Sequence, residues 1–194
     1  MTILVDDAGW GCAVGGVLIA AYRVETQEFT AWEIPVTDFQ GDCFTHRRYL
    51  STAAVCTHRC LDTLRVGLPP HDAKEPIQIC SGYIHSETHR QHPSFQIVKI
   101  TGPFQARIEQ ALLEYLHKLG FPYQGSTEEY GKLFFEAIRW LKGGNPNRRG
   151  MDPDRVKLAK WGWQTFSAYR DHPYRKAVEI ARAMKRRRPF GEWQ

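Results

Sequence analysis

The chain begins with a short apolar run that ends in two acids, Ile3-Leu4-Val5-Asp6-Asp7-Ala8-Gly9-Trp10-Gly11. This pattern predicts a buried strand that carries both carboxylates at its end, followed by a sharp glycine turn. Two adjacent acids repel each other unless a cation or hydrogen-bond donors compensate their charge, which favours a functional site. The simpler alternative is that both acids only accept hydrogen bonds from turn amides.

Apolar periodicity along the chain predicts a meander of three antiparallel strands, then a helix, and then further strands and helices. This order predicts an α/β fold whose mixed sheet is flanked by helices on its faces. The predicted elements after the first strand are strands over 13–24, 28–36, 77–84 and 95–100 and helices over 46–66 and 103–119.

The last third of the chain is predicted to be helical. Residues 130–141 carry an amphipathic stripe, and residues 143–150 form a polar, glycine-rich loop. Asp152-Pro153 and His172-Pro173 predict two further helix starts, because Asp favours the N-cap and Pro the first helical position. We therefore expect two domains: residues 1–120 form the α/β domain, and residues 121–194 form a helical, basic C-terminal extension packed on it.

The basic charge is concentrated in that extension. Residues 139–194 contain 15 Lys and Arg against 5 Asp and Glu, whereas residues 1–138 contain 11 and 16. A basic segment of this kind favours a polyanionic partner, with nucleic acid as the first candidate. The alternative is an acidic protein partner. The expected phosphate contacts are Arg148, Arg149, Lys185, Arg186, Arg187 and Arg188.

Composition bounds the remaining possibilities. No apolar run is long enough to cross a bilayer, so we expect no membrane association. The first residues lack a signal-peptide pattern. The five cysteines are an odd number in scattered positions, which favours reduced thiols and a cytoplasmic location. Cys56 and Cys60 would lie on the same face of a helix. We expect them to be small buried residues, and the alternative is that they belong to a zinc site.

The segment Asp6-Asp7-Ala8-Gly9-Trp10-Gly11 resembles the opening of type 2 ribonucleases H, in which the first strand ends Asp-Glu-Ala-Gly-Arg-Gly. The close resemblance covers about 25 residues. It implies a ribonuclease H-like domain in which Asp6 matches the first metal-binding acid and Asp7 stands where the family has Glu. Trp10 replaces the family's Arg.

The resemblance also implies Mg²⁺ or Mn²⁺ as cofactor, because phosphodiester hydrolysis by this family uses metal ions held by clustered carboxylates. Glu109 is the nearest match to the acid on the following helix, and Asp154 is another candidate ligand. The family's third acid, at the end of the fourth strand, is matched by Ser81 and is therefore missing. The expected catalytic residues are Asp6, Asp7 and Glu109.

Three histidines, His85, His89 and His92, follow the fourth predicted strand. Their spacing suits a transition metal, although a solvent-facing loop is the commoner explanation of such a stretch. Two function hypotheses follow from the sequence. The first is a divalent-metal-dependent nuclease acting on RNA, DNA or a hybrid. The second is a non-catalytic nucleic-acid-binding or assembly protein on the same scaffold.

Overall fold

A computed structural model describes residues 1–66, 75–126, 129–162 and 164–186. The described strands are β1 (Ile3–Ala8), β2 (Val17–Arg23), β3 (Phe29–Ile34), β4 (Ile77–Cys80) and β5 (Gln96–Val98). The described α-helices are α1 (Gly41–Thr45), α2 (Arg48–Thr63), α3 (Ser86–Gln91), α4 (Pro103–Lys118), α5 (Tyr130–Leu141), α6 (Gln164–Asp171) and α7 (Tyr174–Arg186). Short 3-10 helices lie at Val36–Phe39, Tyr83–His85 and Val156–Leu158.

The strands form one mixed sheet in the order β3-β2-β1-β4-β5. β1 pairs antiparallel with β2, and β2 pairs antiparallel with β3, which confirms the predicted meander. β4 and β5 continue the sheet on the other side of β1, each parallel to its neighbour. The predicted α/β fold with a mixed sheet between helices is therefore confirmed. Because β1 has a partner on both sides, its carboxyl end is held at a fixed place in the sheet.

The face of the sheet that carries Ile3 and Val5 packs against α2. Successive side chains of a strand point to opposite faces, so these alternate residues reach the same helix. α2 contributes Cys56 and Cys60 to this core, and both side chains are buried. The interpretation of these two cysteines as small buried residues is thus confirmed.

The opposite face packs against α4, and the C-terminal helices join the same core. Ala8 on β1 meets Ile108 and Leu112 on α4 in one cluster of buried residues. Buried residues of α5, α6 and α7 belong to the same cluster. The boundary at residue 120 stays a prediction. None of the described helices is long and apolar enough to span a membrane.

The second strand and the first predicted helix both begin later than the sequence predicts. β2 begins at Val17 and not at residue 13, because Val14 pairs with Ala159 instead and Gly15 has a positive φ of 74°. A Cβ on Gly16 would stand 1.9 Å from the carbonyl oxygen of Ile34. This close approach of two backbones marks the start of regular pairing. The helix predicted over 46–66 begins at Arg48, because the left-handed φ of 56° at Arg47 separates α2 from the short helix α1.

The predicted helix start at Asp152 is also wrong. The Asp152 carboxylate does accept the N–H groups of Asp154 and Arg155, as an N-cap would. The chain then forms only a 3-10 turn at Val156–Leu158, because Ala159 leaves to form a β-bridge with Val14. Tertiary pairing therefore overrides the local helix signal. The strand predicted over 77–84 is shorter in the structure, where β4 ends at Cys80.

Candidate metal centre

The two acids lie at the carboxyl end of β1. Asp6 is 5% exposed and faces the α4 side of the sheet, in phase with Ala8. Its Oδ1 accepts the backbone N–H of Asp7 at 2.8 Å. Asp7 points to the other face, where its side chain is 14% exposed. The end of β1 therefore presents one carboxylate on each face of the sheet.

A buried histidine meets the second acid. His85 ends the 3-10 helix that follows β4, its side chain is 0% exposed, and its Nε2 lies 3.6 Å from Oδ1 of Asp7. Gly82 permits this approach, because a Cβ there would come within 3.3 Å of the same Asp7 oxygen. Asp6, Asp7 and His85 each offer one ligand atom, and these atoms all lie within 4.8 Å of one another.

The residues of this cluster fit a divalent metal ion. Neither ring nitrogen of His85 has a hydrogen-bond partner among the described residues. A buried polar atom without a partner costs about 1–3 kcal/mol, so a ligand at this position would relieve a real penalty. Two carboxylates and one imidazole are ordinary ligands of divalent cations. The cluster could therefore hold a metal ion.

Burial sets the protonation of all three groups. It raises the pKa of Asp7 to about 7, with the charge of Asp6 as the second cause. Burial likewise raises the pKa of Asp6, and nearby Glu109 adds to the rise. The pKa of His85 is lowered to about 3, chiefly by burial, so the imidazole is neutral at neutral pH and has a free lone pair. A cation would favour the ionised form of both acids.

One buried cation already compensates part of this negative charge. Lys160 is 0% exposed, and its charge lowers the pKa of Asp7. Its Nζ donates a hydrogen bond to the carbonyl oxygen of Gly9 at 2.5 Å and lies 5.2 Å from the ring of Phe39. The C-terminal part of the chain thus supports the glycine turn next to the cluster. Sequence reasoning missed Lys160 because 151 residues separate it from Gly9.

A cavity of about 230 Å³ opens beside the cluster. Asp7 lines one side of it, and Glu109 on α4 lines another. Glu109 accepts a hydrogen bond from Gln105 at 2.8 Å, which orients its carboxylate. The structure therefore brings the predicted residue Glu109 to the same cavity as Asp7, although Glu109 does not belong to the group of close ligand atoms.

The other predicted site residues lie elsewhere or outside the described part of the chain. Asp154 is exposed in the turn after Asp152 and belongs neither to the described cluster nor to this cavity. Arg148 and Arg149 are exposed, and Arg148 lies 3.7 Å from Asp152. α7 ends at Lys185 and Arg186, whose side chains are not described, and Arg187 and Arg188 lie outside the described residues. Their roles stay predictions.

The three histidines do not form one group. His85 joins Asp7, so its interpretation as part of a solvent-facing loop is wrong. His92 instead pairs with His58 on α2, with 2.7 Å between their Nε2 atoms, and stacks on Phe95. The imidazoles at 85 and 92 therefore have different environments despite their closeness in sequence.

The end of β4 offers a thiol where a carboxylate was expected. The parallel register pairs Val5 with Ile79, which brings Cys80 and not Ser81 beside Asp6. A hydrogen bond between Cys80 and Asp6 lowers the pKa of that acid, while Ser81 is exposed. The position of Cys80 could have been predicted, because the alternation of Ile77 and Ile79 places Cys80 on the same face of the sheet as Asp6.

The end of β1 thus combines two carboxylates, a neutral imidazole, a thiol and a compensating lysine next to a small cavity that holds a further acid. This arrangement can hold a divalent cation and place a small polar group beside it. A scan of known protein-family models and a search of curated proteins found no match to this chain.

Proposed function

We propose that this protein is a divalent-metal-dependent nuclease that hydrolyses phosphodiester bonds of RNA, DNA or a hybrid. The observation that carries the proposal is the convergence of Asp6, Asp7 and His85 at the end of the central strand, with ligand atoms within 4.8 Å of one another. Strongly perturbed pKa values cluster at functional sites, so two adjacent carboxylates whose pKa is raised by burial support the proposal.

Each residue has a role in this proposal. Asp6, Asp7 and His85 would hold the cation, and Glu109, which lines the same cavity as Asp7, would be a further ligand. A bound divalent cation supplies neutralisation of phosphate charge and activation of a water nucleophile. Lys160 fixes the turn at Gly9 through its hydrogen bond and so keeps Asp7 in position.

The sheet supports a ribonuclease H-like scaffold for this site. The ribonuclease H-like fold expected from the resemblance has a three-stranded antiparallel meander followed by further strands, and the sheet has this order. The acids lie at the carboxyl end of the central strand, where the resemblance also places the first metal-binding acid. Fold alone does not establish an activity, so the proposal depends on the site.

The nuclease proposal is tested by cleavage of single-stranded and duplex substrates in the presence of Mn²⁺ or Mg²⁺. Asp6→Asn keeps the size of the side chain and removes its charge, so we expect cleavage to fall to background while the circular dichroism spectrum is unchanged. Asp42→Asn is the matched control, because Asp42 is exposed on α1. Equal cleavage by the wild type and by Asp6→Asn would contradict the proposal.

A second candidate function is nucleic-acid binding without cleavage. The observation that favours it is the lack of a carboxylate at the end of β4, where Cys80 lies beside Asp6. The same assay separates the two functions. Salt-sensitive binding of nucleic acid by a protein that cleaves no substrate with any divalent cation would favour this second function.

Both functions predict that the basic C-terminal end binds phosphates. Replacing Arg186, Arg187 and Arg188 with Ala should lower nucleic-acid affinity for every sequence tested. It should also flatten the dependence of log affinity on log salt, by roughly 0.7–0.9 for each phosphate that the variant no longer neutralises. Fluorescence anisotropy at several salt concentrations measures both quantities. If affinity and slope are unchanged, an acidic protein partner becomes the better assignment for the basic charge.

A further inference from the structure

The metal centre offers an imidazole nitrogen beside two carboxylates, where an all-carboxylate site would offer only oxygen. The space next to Gly82 shows this composition directly. A Cβ built on Gly82 would lie 3.3 Å from Oδ1 of Asp7, 3.8 Å from Cδ2 of His85 and 3.9 Å from Sγ of Cys80. A carboxylate and an imidazole therefore lie together beside Gly82, whereas Sγ of Cys80 does not belong to the group of close ligand atoms.

His85 has no other explanation in its surroundings. It is 0% exposed, and neither of its ring nitrogens has a hydrogen-bond partner among the described residues. A structural histidine in a core normally donates from one nitrogen and accepts at the other, because buried polar atoms are almost always paired. Oδ1 of Asp7 lies 3.6 Å from its Nε2, which is too long for a hydrogen bond. The imidazole is therefore aimed into the cluster without being satisfied by it.

The donor types determine which cation such a site prefers. Mg²⁺ takes oxygen ligands almost exclusively, keeps several waters and demands near-ideal octahedral geometry. Imidazole and thiolate ligands suit transition metals, and Mn²⁺ accepts both oxygen and nitrogen. A buried imidazole between two carboxylates therefore adds affinity for a transition-metal ion and contributes nothing for Mg²⁺.

We propose that the centre formed by Asp6, Asp7 and His85 selects a transition-metal dication, of the class of Mn²⁺, Co²⁺ or Zn²⁺, over Mg²⁺, with His85 as the nitrogen ligand. This inference deepens the proposed function and rests on it, because it names the cation that the proposed nuclease uses. The sequence predicts Mg²⁺ or Mn²⁺ as the cofactor without a preference between them. The inference assigns a preference against Mg²⁺ to His85, a residue that the sequence resemblance does not include.

The first experiment needs no substitution. Pulsed electron paramagnetic resonance of the full chain loaded with one equivalent of Mn²⁺ detects any nitrogen bound directly to the metal. We expect the modulation of a coordinated imidazole ¹⁴N in the wild type. Mn²⁺ that binds tightly but without a coordinated nitrogen overturns the inference while leaving the metal-dependent nuclease intact.

The second experiment compares the affinities for Co²⁺ and Mg²⁺ by calorimetry. Most protein sites favour Co²⁺ to some degree, so the decisive quantity is the ratio of the two affinities and its dependence on His85. His85→Ala should lower the Co²⁺ affinity by at least tenfold, since even outer-shell partners of metal ligands are worth roughly 10- to 100-fold. It should leave the Mg²⁺ affinity within about twofold, since Mg²⁺ draws little on a nitrogen ligand.

Two variants control this comparison. His92→Ala removes an imidazole from the same segment that pairs with His58 and lies outside the cluster, so both affinities should be unchanged. His85→Asp restores an all-oxygen site and should lower the ratio of Co²⁺ to Mg²⁺ affinity by about tenfold or more. A ratio that is the same in the wild type, His85→Ala and His85→Asp overturns the inference. Absence of binding for every dication overturns both this inference and the proposed function, whereas selective Co²⁺ binding without nucleic-acid cleavage overturns the function alone.

Discussion

Two sets of metal-type side chains, only a few residues apart, behave differently in this protein. In the cluster of Asp6, Asp7 and His85, the imidazole is fully buried and its nitrogens have no hydrogen-bond partner among the described residues. In the pair of His58 and His92, both rings are partly exposed and their Nε2 atoms lie 2.7 Å apart, which satisfies each with the other. Residues 83–92 contribute one histidine, His85, to the cluster and another, His92, to the pair.

The difference shows which of the two is a candidate site. A pair that satisfies its own hydrogen bonds and contacts water has no need of a ligand. A buried cluster with two carboxylates and an unsatisfied imidazole is held together at a free-energy cost that burial of its neighbours must offset. Such a cost is typical of sites that are optimised for binding and not for stability.

The greatest change is expected in metal affinity at the buried cluster. Asp7→Asn removes one negative ligand, and we expect the Mn²⁺ affinity to fall by on the order of 100-fold, at or above the range for outer-shell partners. His92→Ala, in the self-satisfied pair, should leave the Mn²⁺ affinity unchanged. Calorimetric titration of both variants with Mn²⁺ measures the contrast. An equal loss of affinity in the two variants would mean that the cluster is not the binding site.

The next effect concerns the lysine that compensates the cluster. Lys160→Met should lower the free energy of unfolding by roughly 1–3 kcal/mol, because the carbonyl oxygen of Gly9 loses its charged donor. Lys142→Met is the matched control, since the Nζ of Lys142 donates to two carbonyl oxygens, at 2.8 Å and 3.1 Å, in another buried position. Urea denaturation should give similar decreases in stability for both variants.

The two lysine variants should differ at Asp7. The charge of Lys160 lowers the pKa of Asp7, so its removal should raise that pKa further. Carboxyl ¹³C shifts followed against pH measure the change in each variant. Lys142→Met should leave the Asp7 titration unaffected. A shift of the same size in both variants would show that Lys160 acts only through general stability.

A smaller effect is expected in the pH dependence of metal-free stability. The folded-state pKa of Asp7 is raised to about 7, so the folded protein keeps a proton that the unfolded chain loses above pH 3.8. This term therefore lowers stability as pH rises from about 4 to 7, by at most about 1.4 kcal/mol per pH unit. His85 opposes it, because its pKa is lowered to about 3 and the unfolded chain binds the extra proton below pH 6.5.

Because the two terms oppose each other, the test is a difference between variants. The stability of Asp7→Asn relative to the wild type should increase as pH rises from about 4 to 7, since the variant lacks the Asp7 term and keeps the His85 term. Urea denaturation at several pH values without metal measures this difference. A difference that is constant with pH would show that the pKa of Asp7 is not raised.

The weakest effect is expected at the histidine pair. Burial lowers the pKa of His92, and His58 adds to the decrease. The unfolded chain therefore binds more protons than the folded chain below pH 6.5, so this group's contribution to stability is lost as pH falls. His92→Gln should reduce the loss of stability on acidification from pH 7 to 5. An unchanged pH profile would show that the pair does not titrate as a unit.

The parts of the fold that depend on local pattern could be predicted from the sequence. The meander, α4 and α5 follow from apolar periodicity and from Pro and Gly at their ends. The two acids lie at the end of β1 as the sequence predicts, and Glu109 lines the same cavity as Asp7, while its role as a ligand stays a prediction. These features depend on residues close together in the chain or on a strand end that the pattern itself marks.

The rest depends on long-range packing. His85 looked like one of three loop histidines, because its contact with Asp7 depends on how the ends of β1 and β4 come together in the fold. The helix predicted at Asp152 is replaced by a turn, because the chain there pairs with Val14. Lys160 contacts Gly9 across 151 residues. In each case a tertiary contact outweighs a local preference. The spacing of residues along the sequence does not predict such contacts.

The existence of the metal centre is tested by binding of Mn²⁺ to the metal-free protein, followed through the decrease of the free-ion electron paramagnetic resonance signal. We predict saturable binding to the wild type and its loss in Asp6→Asn, with the same circular dichroism spectrum for both proteins. Equal binding by the two proteins, or none by the wild type at high Mn²⁺, would contradict the assignment of Asp6, Asp7 and His85 as a metal centre.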